Sequence, residues 1–381
     1  MKDEKKAPKL RFKGFTDDWE QCKLGDVCVI TMGQSPNSNN YTDNPKDHIL
    51  VQGNADMKDG QVYPRIWTTE ITKTANKGDL ILTVRAPVGD VGKTGYDIVI
   101  GRGVAAIQGN EFIFQLLKRM KAIGYWTKYS TGSTFESINS SEINNAVMHL
   151  PKKHEQIEVG NVLSYLDQTI TLHEEKKRQL ERLKSALLHK MFADKSGYPD
   201  VRFKGFNEAW TNRKLGNYFD YEQPTPYIVT NTNYSDKYNT SVLTAGQSFI
   251  LGYTNEDTGV KCATYKEPVI IFDDFTTSMH LVTFPFKVKS SAMKILTLTQ
   301  KNDSMYFGYT SLQNIKYKPL NHERQWISIF SKIKIGIPIS KIEERKIGNL
   351  FERIDRLDNY FQQKIERLNL IKQSLLQSMF I

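Results

Sequence analysis

Cysteine is scarce in this chain. Its 381 residues contain three, Cys22, Cys28 and Cys262, an odd number without paired ligand spacing. No disulfide framework is expected, and reduced thiols suit a cytosolic protein. No run approaches the ~18 apolar residues that span a bilayer. The opening Met1-Lys2-Asp3-Glu4-Lys5-Lys6 has no apolar stretch behind it, so no signal peptide is expected. The signatures of catalysis are missing too. There is no G-x-x-x-x-G-K-[ST] loop, and Gly101-Arg102-Gly103 lacks the wider spacing of a dinucleotide fingerprint. The seven histidines form no H-E-x-x-H pair, and His322-Glu323-Arg324-Gln325-Trp326 fails at its fifth position. No catalytic or metal-binding residue is therefore expected. Asp273-Asp274, after an apolar run, is the best carboxylate pair for Mg²⁺, but no E-x-K follows it. A structural turn is the simpler reading.

Hydrophobic residues make up 39% and aromatics 11%, the balance of a globular protein. Lys and Arg number 52 against 42 acidic residues, a net charge of +10. That excess favours a polyanion, nucleic acid first. The main positive feature is a duplication. Pro8-Lys9-Leu10-Arg11-Phe12-Lys13-Gly14-Phe15, Trp19 and Lys23-Leu24-Gly25 return in order as Pro199-Asp200-Val201-Arg202-Phe203-Lys204-Gly205-Phe206, Trp210 and Lys214-Leu215-Gly216. Leu187-Leu188 with Met191-Phe192 returns as Leu375-Leu376 with Met379-Phe380. Two such units imply an internal pseudo-two-fold, suited to a partner with two half-sites.

Four blocks follow: a first domain over 1–150, a long helix over 151–194, a second domain over 195–337 and a second long helix over 338–381. In the domains, Ile49-Leu50-Val51, Asp79 to Val84, Ile98-Val99-Ile100, Pro268 to Phe272 and Leu281 to Phe284 read as strands, and Phe112 to Trp126 as a helix. The fold class is α+β. In the first long helix Val159, Leu163, Leu166 and Ile170 step by four and three. Leu180, Leu183, Leu187 and Met191 resume after a polar break over His173 to Arg178, which reads as a stutter. The second runs through Ile347, Leu350, Ile354, Leu357, Phe361, Ile365, Leu368, Ile371, Leu375 and Met379. Each stripe needs cover, and antiparallel packing of the two helices supplies it.

The polar side chains suit DNA. Gln52 and Asn54 follow a strand and offer amides, which pair bidentately with adenine; Arg65, Arg85, Lys93 and Arg102 fall in glycine-rich loops, and arginine pairs with guanine. Ser133 and Thr134 offer hydroxyls to phosphate oxygens. Gln247, Tyr253, Lys261, Thr276, Thr277, His280, Lys287 and Lys289 are the analogous candidates in the second domain.

At these residues the chain resembles the specificity subunit of type I restriction–modification systems. The duplicated lead-ins resemble its domain openings. Gly33-Gln34-Ser35-Pro36, Val84-Arg85-Ala86-Pro87-Val88-Gly89-Asp90 and Ile100-Gly101-Arg102-Gly103 resemble one type of its target recognition domain. Ala245-Gly246-Gln247-Ser248-Phe249-Ile250-Leu251-Gly252 and Ile271-Phe272-Asp273-Asp274-Phe275-Thr276-Thr277 resemble another. The resemblance implies two domains that read a bipartite, asymmetric double-stranded DNA target. It implies a helix pair that fixes the gap and docks two adenine methyltransferase subunits through Leu163, Leu166, Ile170, Leu180, Leu187, Ile354, Leu357, Phe361, Leu368 and Leu375. Restriction subunits join the same core. S-adenosylmethionine, ATP and Mg²⁺ then belong to the partners and no cofactor to this chain, which is a non-catalytic, cytoplasmic subunit. The alternatives are a self-sufficient Mg²⁺ nuclease built on Asp273 and Asp274, and a coiled-coil scaffold for proteins.

Overall fold

A computed structural model of the chain describes residues 7–129, 137–194, 196–244, 248–319 and 324–381. The fold has two compact units, Met1–Glu175 with Gln362–Ile381, and Lys176–Phe361. Each combines sheets with part of both long helices.

In the first unit a six-stranded sheet has Leu80–Thr83 near its middle, between Val104–Ile107 and Val91–Lys93. Every residue of Leu80–Thr83 and of Val104–Ile107 is buried. Successive side chains of a strand point to opposite faces. Leu80, Leu82, Ala105 and Ile107 join the core beneath the helix Glu111–Ala122. Ile81, Val104 and Ala106 face a second core, shared with His48–Val51 and Ile98–Ile100 of a five-stranded sheet. Cover on both faces is why these strands read as unbroken apolar runs. The helix starts where the Asn110 side chain accepts the Ile113 N–H at 3.0 Å. It ends at Ala122, short of the expected Trp126, because Gly124 turns left-handed (φ 71°) and a 3₁₀ turn, Tyr125–Tyr129, follows.

The second unit repeats the plan with other sequences. Phe219–Glu222, Met293–Leu298, Val269–Asp273 and Met279–Val282 form an antiparallel sheet, and Ile250–Thr254, Thr240–Leu243 and Phe286–Val288 a smaller one. Ile270 and Phe272 enter one core while Val269 and Ile271 enter another.

The duplicated motifs occupy equivalent places. Glu20–Lys23 pairs antiparallel with Val147–Leu150, as Thr211–Lys214 does with Lys334–Ile337. Arg11 makes a two-pronged ion pair with buried Glu155 at 2.6 and 2.8 Å, and Arg202 makes the same pair with Glu343 at the same distances. In the first unit Trp19 and Phe112 pack with Phe380 from the chain's last residues. In the second, Trp210 and Phe307 pack with Phe192.

The long helices, Lys153–Lys190 and Lys341–Ser378, each have 38 residues and pass through both units. They pack on each other antiparallel, since Lys184 pairs with Asp355 at 2.6 Å and Lys177 with the later Asp358 at 3.6 Å. The expected stutter is absent. Val159, Leu163, Leu166, Ile170, His173, Lys177, Leu180, Lys184, Leu187 and Met191 step by four and three without a break, and all are buried or half-buried. Ile347, Phe351, Ile354, Asp358, Phe361, Ile365, Leu368, Lys372, Leu375 and Met379 do the same on the second helix. Leu183 (51% exposed), Leu357 (48%) and Ile371 (42%), expected on the seam, face outward. In each case the next residue, Lys184, Asp358 or Lys372, holds the seam position. Its charge is met by a partner, with Lys372 pairing to Asp167 as Lys184 does to Asp355. No helix among the described residues is long and apolar enough to cross a membrane.

Candidate nucleic-acid interface

Three loops of the first unit meet where three strands end. Gly33-Gln34-Ser35 follows the strand Ile30–Met32, Gln52-Gly53-Asn54 follows His48–Val51, and Gly101-Arg102-Gly103 follows Ile98–Ile100. Glycine is required for this approach. A Cβ on Gly33 would lie 2.1 Å from the Gly101 carbonyl oxygen, and one on Gly103 would lie 2.0 Å from that of Gln52. Backbone bonds then tie the loops. Gly101 donates to Val51, Gln34 to Ile100 and Gly33 to Val104, at 2.8 to 3.0 Å. The Arg102 N–H donates to Ser35 Oγ at 3.1 Å. Buried Asp56 accepts the N–H groups of Gln52 (2.8 Å) and Gly53 (3.2 Å).

The result is a concave site of about 290 Å³ lined by the side chains of Ser35, Tyr41, Gln52, Asn54, Arg85 and Arg102. Arg85 arrives from a fourth loop, after Leu80–Thr83. That loop is anchored by Thr83, whose hydroxyl donates to Pro87 O (2.7 Å) and accepts the Asp90 N–H (2.8 Å). The lining holds two guanidinium groups, two carboxamides and two hydroxyls, and neither a carboxylate nor a lysine. Uncompensated cations beside amides that both donate and accept suit a nucleic-acid surface.

Of the candidates in this unit, Gln52, Asn54, Arg85 and Arg102 come together here. Arg65 does not join them. Its guanidinium donates to Ala55 O at 2.9 Å and lies 3.8 Å from Asp56, bracing the loop from behind. Lys93 lies in another cleft, paired with Glu111 and 4.5 Å from the centre of the Phe114 ring. Ser133 and Thr134 fall outside the described residues. Ser35 was within reach of the sequence reading, in the Gly33-Gln34-Ser35-Pro36 motif. Tyr41 carried no signal: it lies in a two-residue strand, Tyr41–Thr42, that no apolar run or motif marks.

The candidates of the second unit do not converge. Lys287 is the clearest correction. It is 2% exposed, and its ammonium donates to Thr258 O at 2.7 Å and pairs with Glu256 at 3.0 Å. Burial works to raise the Glu256 carboxyl, but that ammonium and the N–H groups of Thr230 and Asn231 outweigh it and hold it down to about 2. Lys261 is tied to Glu222. The Thr276 hydroxyl donates to Asp273 at 2.7 Å, and Thr277 adopts a left-handed φ of 60° in the same turn. Thr277 and His280 line different clefts. His280 stacks on Phe249 at 4.0 Å, and burial lowers its pKa. Tyr253 is half-buried in its strand, Lys289 is exposed, and Gln247 lies outside the described residues.

The proposed metal carboxylates are spent internally. Asp273 accepts from Phe275, Thr276 and the Thr276 hydroxyl. Asp274, fully buried, accepts the Trp326 N–H at 2.9 Å and faces Lys294 at 3.4 Å. Asp273 is held within a turn, and Asp274 lies buried beside the Lys294 ammonium, an environment that competes with a cation. No group of three His, Cys, Asp or Glu among the described residues is arranged to hold a metal.

Residues 16–182 match the family model described as the type I restriction modification DNA specificity domain. Curated relatives include the specificity subunit of the type I restriction enzyme EcoR124I/EcoR124II of Escherichia coli, 45% identical over 167 residues (43% of this chain, 40% of the relative). The specificity subunit of a putative type I restriction enzyme, MjaX, of Methanocaldococcus jannaschii is 30% identical over 190 residues (47% and 44%). These matches span less than half of each relative's length. Among solved structures, the S subunit of the type I restriction–modification system from M. genitalium superposes with a TM-score of 0.72 at 15% identity, covering 98% of this chain and 99% of that one. It establishes a shared fold over the whole chain.

Proposed function

We propose that this chain, whose residues 16–182 belong to the type I restriction modification DNA specificity domain family, is the DNA-reading subunit of such a system. The observation that carries the reading is the assembled site of Gln52, Asn54, Arg85 and Arg102 inside that domain. Lysines and arginines across the surface supply attraction to phosphates that falls steeply with salt. The side chains of the site then read base edges. The second unit has the same plan and a different sequence, so the target is bipartite and asymmetric, one half-site per unit. The helix pair sets the gap. Of the residues expected to dock partners, Leu163, Leu166, Ile170, Leu180, Leu187, Ile354, Phe361, Leu368 and Leu375 are buried or half-buried in the seam and only Leu357 is exposed. It is therefore the outward apolar residues, among them Leu172, Leu183, Leu357, Tyr360 and Leu370, that offer docking surface for two adenine methyltransferase subunits, with restriction subunits joining the assembly. S-adenosylmethionine, ATP and Mg²⁺ act on those partners, and this chain contributes specificity without chemistry, in the cytoplasm.

The test is methylome sequencing of cells that carry the neighbouring methyltransferase with and without this chain. Adenine methylation at a split, asymmetric motif that disappears without the chain is the expected outcome. Methylation indifferent to the chain, with the methyltransferase expressed, would sink the reading and favour a protein scaffold.

A further inference from the structure

Arg85 and Arg102 stand out among the charged groups of the first unit. Arg11 is locked to Glu155, Arg65 to Ala55 and Asp56, and Lys93 to Glu111. Arg85 and Arg102 are exposed, line one concavity, and have no carboxylate beside them in it. Their backbones are held where they line the site: the Arg102 N–H is bonded to Ser35, and Arg85 makes a backbone bridge to Ser137.

Two features of DNA can receive a guanidinium: the anionic phosphate and the neutral acceptors of a base edge. A phosphate offers acceptors only, and compact lysine point charges serve it well. This site has no lysine in its lining, and it sets Gln52 and Asn54 beside the arginines. An amide's donor can meet a phosphate, but its acceptor is idle there, whereas a base edge that presents both a donor and an acceptor uses both. Among base edges, the one with two adjacent major-groove acceptors is guanine, through O6 and N7, and it fits the fork of a guanidinium. We infer that the first unit reads guanine in its half-site through Arg85 and Arg102. This rests on the DNA-reading function proposed above and assigns a base to its site.

The experiment uses the full chain in complex with its methyltransferase, on duplexes carrying the motif mapped by methylation. Each guanine is replaced in turn by 7-deazaguanine, which keeps Watson–Crick pairing and loses the N7 acceptor. Binding should weaken on the order of 5- to 150-fold at one or two positions of the half-site read by the first unit, whatever the other half-site shows. The same replacement should have no further effect on R85A or R102A complexes at the position that arginine reads. Effects in the other half-site should persist in both variants. A motif without guanine, indifference to every replacement, or sensitivity that survives in both variants overturns the inference. So does a uniform loss of affinity for specific and scrambled duplexes in the variants, which marks a phosphate contact. In each of these outcomes the wild-type complex still binds its motif, and the wider function stands. A wild-type complex that prefers no sequence overturns both. The deazaguanine series needs only the wild-type chain, so a variant that folds poorly does not block the test.

Discussion

A methyl group at Gly103 would meet the Gln52 carbonyl oxygen at 2.0 Å, so Gly103→Ala must separate two loops of the candidate DNA site. We expect about 1–3 kcal/mol of lost stability from overpacking and a larger loss of sequence-specific binding, both measured on one preparation by thermal unfolding and duplex titration. Wild-type affinity in that variant would show that the spacing of these loops does not matter. Asp167 makes a second point at this scale. Burial pushes its carboxyl up, but Lys118, Lys372 and Gln115 outweigh that and hold it below the usual range. The Lys118 ammonium is itself drawn down to about 8, chiefly by burial. A carboxyl lowered by folding contributes stability above its unfolded value, near ~3.9, and loses it as pH falls through the folded value. Asp167→Asn should therefore destabilise the chain by about 1–3 kcal/mol at neutral pH. Its melting temperature should approach that of the wild type as the buffer is taken below about pH 4. A gap that stays constant with pH would mean that the charge of Asp167 does not stabilise the fold.

At the scale of the element, the long helices were legible as stripes, but the phase of their seam was not. Hydrophobicity alone selects Leu183, Leu357 and Ile371. Packing selects Lys184, Asp358 and Lys372, because each can meet an opposite charge across the helix pair or bury its aliphatic stem there. The polar run through His173 and Lys177 was mistaken for a stutter for the same reason. Two substitutions separate the phases. Leu183→Ser should change stability by no more than about 0.5 kcal/mol, while Leu163→Ala, in a fully buried seam position, should lose about 2–5 kcal/mol. Chemical denaturation of both variants decides, and similar losses would contradict the observed register. The strands were easier. Ile98–Ile100 and Val269–Asp273 read correctly because cover on both faces leaves an apolar run that no helix of that length would need.

For the whole molecule, the duplication in the sequence foretold two units of one plan, and equivalent ion pairs and aromatic triads bear it out. The DNA candidates were legible only where motif glycines marked a close approach. In the second unit, residue type suggested Lys261 and Lys287, but type cannot reveal that Glu222 and Glu256 already hold them. The last residues of the chain complete the first unit's core through Met379 and Phe380. Truncation after Phe361 should therefore strip hydrogen-exchange protection from strands such as Leu80–Thr83 and spare Val269–Asp273. Equal loss in both would mean the units do not fold separately. The anchoring of the candidate DNA site has a consequence at this scale. Gln52 and Arg102 are fixed by their main-chain N–H groups, and no core cluster includes Gln52, Asn54, Arg85 or Arg102. Asn54, Arg85 and Arg102 are exposed side chains on loops held by their backbones, so if these positions read DNA, the target could be rewritten there, a few codons at a time, with little demand on folding.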